Sequence, residues 1–99
     1  MQHRTELDMA QRAAAKVTIV NSLGLHARPA TEFVQTALKF KCEVAVVKGG
    51  ESVSGKSIME MMMLAATQGT QLEIVAEGQD AAQCVQALSE LVARGFNEE

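Results

Sequence analysis

Tryptophan and tyrosine are absent from this chain of 99 residues, and phenylalanine occurs three times. Single-stranded nucleic acid is commonly held on aromatic platforms, and no such surface is available here. An excess of positive charge is missing too. Nine Lys and Arg stand against twelve Asp and Glu for a net charge of −3, and the basic residues are scattered along the chain. A phosphate backbone would find no electrostatic grip, so a nucleic-acid partner is excluded. Long apolar runs are lacking as well. Residues 1–15 (MQHRTELDMAQRAAA) mix charges with alanines and fit neither a secretory signal nor a membrane span. The expectation is a cytoplasmic protein with no membrane insertion, residues 1–15 forming a flexible extension and 16–99 one domain. Cysteine occurs twice. Cys42 and Cys84 fall on apolar faces and read as buried thiols, with no disulfide framework and no metal cluster, so neither a metal nor a cofactor is expected.

Proline occurs once, and its position organises the chain. Pro29 has no N–H to return to a carbonyl four residues back, so a regular helix cannot extend upstream of about residue 26, whereas proline fits the first turn. Ala30, Phe33, Val34, Ala37 and Leu38 then repeat at helical spacing, with polar residues opposite. This puts His26 at or next to the N-cap. The first turn of a helix leaves amide N–H groups unpaired and attracts anions. Arg28 adds a fixed cation in the same turn. A positive field favours a neutral, nucleophilic imidazole and would hold a phosphoryl group placed on it. Gly24 and Ala27 on either side are small enough to admit a partner.

The remaining elements follow from their periods. Lys16–Asn21 alternates as a half-buried strand, and Cys42–Lys48 reads as a second, with Cys42, Val44 and Val46 on one face. Gly49-Gly50 is a two-residue hairpin signal leading into a strand over Glu51–Ser54. A helix over Ile58–Ala66 follows, with Ser57 and Glu60 spaced as a capping box. Gln71–Glu77 alternates again, and a helix capped by Asp80 and ended by Gly95 closes the chain. The order β-α-β-β-α-β-α, with alternating strands, calls for a sheet buried on one face and covered there by helices.

Two stretches carry further chemistry. Residues 50–57 (GESVSGKS) satisfy the pattern of a nucleotide phosphate loop, with Lys56 on phosphate and Ser57 on magnesium. Against it stand Glu51 beside the phosphates and the lack of a parallel βαβ core. The run Met59, Met61, Met62, Met63 cannot all point inward on a helix. Either Ile58, Met61, Met62 and Ala65 or Met59, Met63 and Ala66 make the inner face, and the period does not choose between them.

The segment GLHARPA resembles, residue for residue, the active-site segment of the HPr family, the histidine-containing phosphocarriers of bacterial phosphotransferase systems. The resemblance runs from about Lys16 to Arg94 and includes GKSIM. It implies an α+β open-faced β-sandwich: four antiparallel strands in the order 1-4-2-3 with three helices on one face. It also implies a carrier rather than a turnover enzyme, a monomer in which His26 accepts phosphate on Nδ1 from Enzyme I, with Arg28 touching it, and passes it to IIA proteins or domains. Ala27, Thr31, Met59 and Met62 match the docking patch of that family. Ser57 matches a regulatory serine phosphorylated by HPr kinase/phosphorylase in some bacteria, although Glu60 replaces a common glycine. Leu23 replaces a residue that is polar in some members. A regulatory relay of the nitrogen-linked type is the alternative to sugar uptake, and both use the same residues.

Overall fold

The computed structural model describes residues 11–98. Four strands, β1 (Arg12–Thr18), β2 (Glu43–Lys48), β3 (Glu51–Ser54) and β4 (Gln71–Glu77), form one antiparallel sheet in the order β1-β4-β2-β3. Three α-helices lie among the described residues, α1 (Ala27–Ala37), α2 (Ile58–Met63) and α3 (Ala81–Ala93), followed by a 3₁₀ turn over Gly95–Asn97.

The alternation of the strands is realised as expected. Val44, Val46, Leu72, Ile74 and Ala76 point into the core, where they meet Ala30, Phe33, Val34 and Ala37 of α1 and Ala81, Cys84, Val85, Leu88, Leu91 and Val92 of α3. Each such Val, Leu or Ile side chain contributes roughly 1.5–3 kcal/mol when fully buried. Both thiols are buried and free. Burial pushes Cys84 up to about 12, with the neighbouring Cys42 as the second cause, and burial raises Cys42 as well.

The first strand departs from expectation. It begins at Arg12, four residues before Lys16, so Arg12–Ala15 belong to the sheet and not to an extension. Residues 1–10, which include His3, lie outside the described residues. Alanine has little strand preference of its own, but Ala13 pairs with Ala76 and Ala15 with Ile74, and both pack against the core. Tertiary pairing overrides local propensity here. The strand also ends at Thr18, although Ile19 stays tied by its N–H to Thr70 and by its carbonyl to the N–H of Gly69.

The helix ends bring further corrections. Leu38, expected on the inner face of α1, is its C-cap residue and is 59% exposed, because the chain leaves the helix there. Helix α2 stops at Met63 rather than Ala66: Ala65 is left-handed (φ 49°), and Lys48 Nζ donates to the carbonyl of Leu64 at 2.7 Å. A lysine on a terminal carbonyl satisfies a group the helix leaves orphaned. Neither proposed methionine face is the buried one. Met61 alone of the run is buried, joined by Leu64 and Ala66, while Met59, Met62 and Met63 are exposed.

Half of the capping box forms. Ser57 Oγ accepts the N–H of Glu60 at 3.2 Å, but Glu60 Oε1 takes the N–H of Ser54 at 2.8 Å instead of that of Ser57. Asp80 occupies the N-cap position of α3 without capping it; its carboxylate accepts the N–H groups of Lys41 and Cys42 instead. Gly95 follows the C-cap in the left-handed conformation expected of a helix stop (φ 64°).

Candidate functional site

His26 is the N-cap residue of α1, with extended backbone (φ −81°, ψ −168°) and a ring that makes no capping bond. Its carbonyl accepts the N–H of Ala30 at 3.0 Å, which starts the helical ladder. Pro29 has no N–H, so the amides of Ala27 and Arg28 are the first-turn donors that face outward from the helix mouth. The His26 side chain is 38% exposed, so an incoming group can reach it.

The loop before the helix is held by tight packing. Gly24 is left-handed (φ 71°), and a Cβ on it would lie 2.6 Å from the carbonyl oxygen of Ala66. Leu25 donates its N–H to that same oxygen at 2.9 Å. Gly24 is buried, so its small size serves this close approach of two backbones and not the access of a partner. Ala27 does sit on the surface.

Arg28 is in the first turn as expected, but its guanidinium pairs with Glu32 one turn on, at 3.5 Å. Such an exposed i,i+4 pair is worth about 0.3–0.5 kcal/mol and is easily released to a stronger anion. Thr31 Oγ1 donates to the carbonyl of Ala27 at 2.8 Å. Helix α1 packs against α2. Met59 is 75% exposed and Met62 is also at the surface, so the expected docking side chains are presented to solvent.

The sequence reading missed the residue that is hydrogen-bonded to the ring. Glu98 Oε2 lies 2.9 Å from His26 Nε2, and Glu98 Oε1 accepts from Asn21 Nδ2 at 2.9 Å. The only local signal was a phenylalanine and two acids following the terminal Gly95, and nothing in that pattern aims them at residue 26.

The phosphate-loop reading of residues 50–57 fails on the structure. Glu51–Ser54 is strand β3, not a cradle, and the sheet is antiparallel throughout. Lys56 Nζ is taken by the carbonyl of Phe40 at 2.8 Å. A Cβ on Gly55 would strike Val44 at 2.5 Å, so that glycine answers to packing. Among the described residues no three His, Cys, Asp or Glu side chains gather in a way that could hold a metal ion. No helix there is long and apolar enough to cross a membrane.

An open-faced sheet covered on one side by helices, with an accessible imidazole at the mouth of the first helix, defines a class of protein that presents a histidine to solvent beside unpaired helix amides. Comparison with known proteins places the chain within that class. Residues 13–94 match the family model described as the PTS HPr component phosphorylation site. The phosphocarrier protein HPr of Neisseria meningitidis serogroup A is 49% identical over 82 residues, covering 83% of this chain and 92% of that protein. The HPr of Pseudomonas aeruginosa is 48% identical over 86 residues, covering 86% and 96%. Among solved structures, HPr-C-His from Thermoanaerobacter tengcongensis superposes with a TM-score of 0.85 at 42% identity, covering 88% of this chain and 98% of that one. The chain belongs to the HPr family and is a phosphocarrier of the phosphotransferase system, a carrier rather than a turnover enzyme.

Proposed function

We propose that His26 is the residue that carries the phosphoryl group, taken from phosphorylated Enzyme I and passed on to IIA proteins or domains in the cytoplasm. The observation that supports this best is the placement of an accessible ring, unused in capping, at the N-cap of α1. Phosphate oxygens set on that ring meet the first-turn amides of Ala27 and Arg28 and the positive end of the helix. The Arg28 guanidinium leaves its weak pair with Glu32 for the added dianion. Ala27, Thr31, Met59 and Met62 form the surface on which Enzyme I and the acceptors dock, and flexible methionines suit a surface shared by several partners.

Ser57 is a second, regulatory phosphorylation site for HPr kinase/phosphorylase in this reading. Its Oγ already accepts the Glu60 N–H, and Glu60 adds a carboxylate to the same first turn. The added phosphate brings about −1.5 to −2 charges and acts on the docking surface by local repulsion. The protein acts as a monomer in the relay, although relatives of similar fold include an HPr dimer from Thermoanaerobacter tengcongensis. Whether the relay feeds sugar uptake or a nitrogen-type regulatory chain depends on which IIA proteins receive the phosphate.

The test is incubation with phosphoenolpyruvate and Enzyme I. An acid-labile, base-stable phosphate forms on the wild type and is absent from His26→Ala. Wild-type protein that takes up no phosphate, or a variant that still does, overturns the reading.

A further inference from the structure

The chain after α3 turns back on itself through three consecutive left-handed residues: Gly95 (φ 64°), Phe96 (φ 57°) and Asn97 (φ 61°). Left-handed backbone costs a residue other than glycine about 1–2 kcal/mol, so two such residues in a row need an anchor. Phe96 supplies it, being buried among the core residues, and Glu98 N–H closes the turn on the carbonyl of Gly95 at 3.0 Å. The turn delivers Glu98 to His26, 72 residues earlier in the chain.

Glu98 is gripped on arrival. Asn21 is 1% exposed, and its Nδ2 donates both to Glu98 Oε1 at 2.9 Å and to the carbonyl of Gly24 at 2.8 Å. Two oxygen acceptors on one side of the amide settle its orientation, since the flipped form would set oxygen against oxygen. The other carboxylate oxygen, Oε2, is then aimed at His26 Nε2, and the Glu98 side chain is only 13% exposed.

We propose that Glu98 is a positioning residue that holds His26 in the Nε2–H form, with Asn21 fixing Glu98 in turn. An ionised carboxylate only accepts, so the ring nitrogen facing it bears the hydrogen. A neutral imidazole protonated on Nε2 has its lone pair on Nδ1. The resemblance implies Nδ1 as the phosphorylated atom; the contact with Glu98 is what selects it in this chain. The inference rests on His26 being the carrier. In the transfer, the Nδ1 lone pair forms the bond to phosphorus as the bond from phosphorus to the donor breaks, and that electron pair leaves with the donor. The hydrogen stays on Nε2, so the ring becomes cationic, and the Glu98 carboxylate compensates that charge. The same cationic ring is the better leaving group in the onward step.

Ring nitrogen-15 NMR of the unphosphorylated protein at alkaline pH, set beside phosphate uptake from Enzyme I, tests this. The wild type shows the Nε2–H form alone. Glu98→Ala shows a mixture with the Nδ1–H form and takes up phosphate about tenfold more slowly. Glu98→Gln keeps the length of the side chain but has one acceptor oxygen for the two donors Asn21 Nδ2 and His26 Nε2–H, so it too loses the single form, and it serves if the alanine variant folds poorly. Equal tautomer spectra in wild type and Glu98→Ala overturn the inference, as do equal uptake rates. A wild type that takes up no phosphate fails the carrier reading instead, while the spectra still report whether Glu98 holds the ring.

Discussion

The carboxylate of Asp80 accepts the backbone N–H of Cys42 at 3.0 Å, joining the start of α3 to the start of β2 across 38 residues. The same carboxylate accepts the N–H of Lys41 at 2.9 Å. Hydrogen bonds to the charged form, that from Lys41 foremost, hold the Asp80 carboxyl below its ordinary value of 3.8. A carboxyl depressed in the fold adds stability above its unfolded value, and that contribution disappears as pH falls through the lower folded value. Wild type is therefore more stable than Asp80→Asn at neutral pH, and the gap closes only below about pH 4. Urea unfolding midpoints taken from pH 7 down to pH 2.5 or thereabouts read this directly. Curves that run parallel over the whole range would show that the Asp80 charge does not hold the two elements together.

Gly24 and Ala66 set the geometry of the loop that delivers His26. With φ at 71° and a hypothetical Cβ 2.6 Å from the Ala66 oxygen, Gly24→Ala meets both backbone strain and a clash with main chain that cannot rotate away. The expected cost is about 2–4 kcal/mol in denaturant unfolding, with slower phosphate uptake because the histidine shifts. A loss under about 0.5 kcal/mol would mean that the loop relaxes freely.

Met59 reaches solvent with most of its surface, so replacing it leaves the core intact. Met59→Lys is expected to raise KM for phosphorylated Enzyme I roughly tenfold while leaving the thermal unfolding midpoint unchanged. Unaltered uptake kinetics would remove Met59 from the docking surface.

Glu60 places its carboxylate on the Ser54 N–H, within the same turn as Ser57. A second negative group on Ser57 is disfavoured there, so Glu60→Gly is expected to be phosphorylated by HPr kinase/phosphorylase several-fold faster than wild type. A radiolabel time course with equal rates for both proteins would show that this repulsion is immaterial.

Much of the molecule follows from local pattern. Pro29 set the start of α1, and with it the N-cap position of His26, because a missing N–H is a covalent fact that no packing can change. The alternation in β2 and β4 assigned Val44, Val46, Leu72, Ile74 and Ala76 to the inner face, since a strand turns each successive side chain to opposite sides. The spacing in α3 picked out Ala81, Cys84, Val85, Leu88, Leu91 and Val92 for the same kind of reason.

Other features were decided by distant neighbours. Alanines 13 and 15 are strand residues because β4 pairs with them, and Met61 is the inward methionine because it lies on the side of α2 that packs into the core. Gly24 is required by a carbonyl that lies 42 positions further along. Above all, the carboxylate on His26 comes from Glu98, brought there by a buried Phe96 and a left-handed turn. Periodicity records which way a side chain faces within its own element. It holds no record of which element, or which chain end, will be packed against that face.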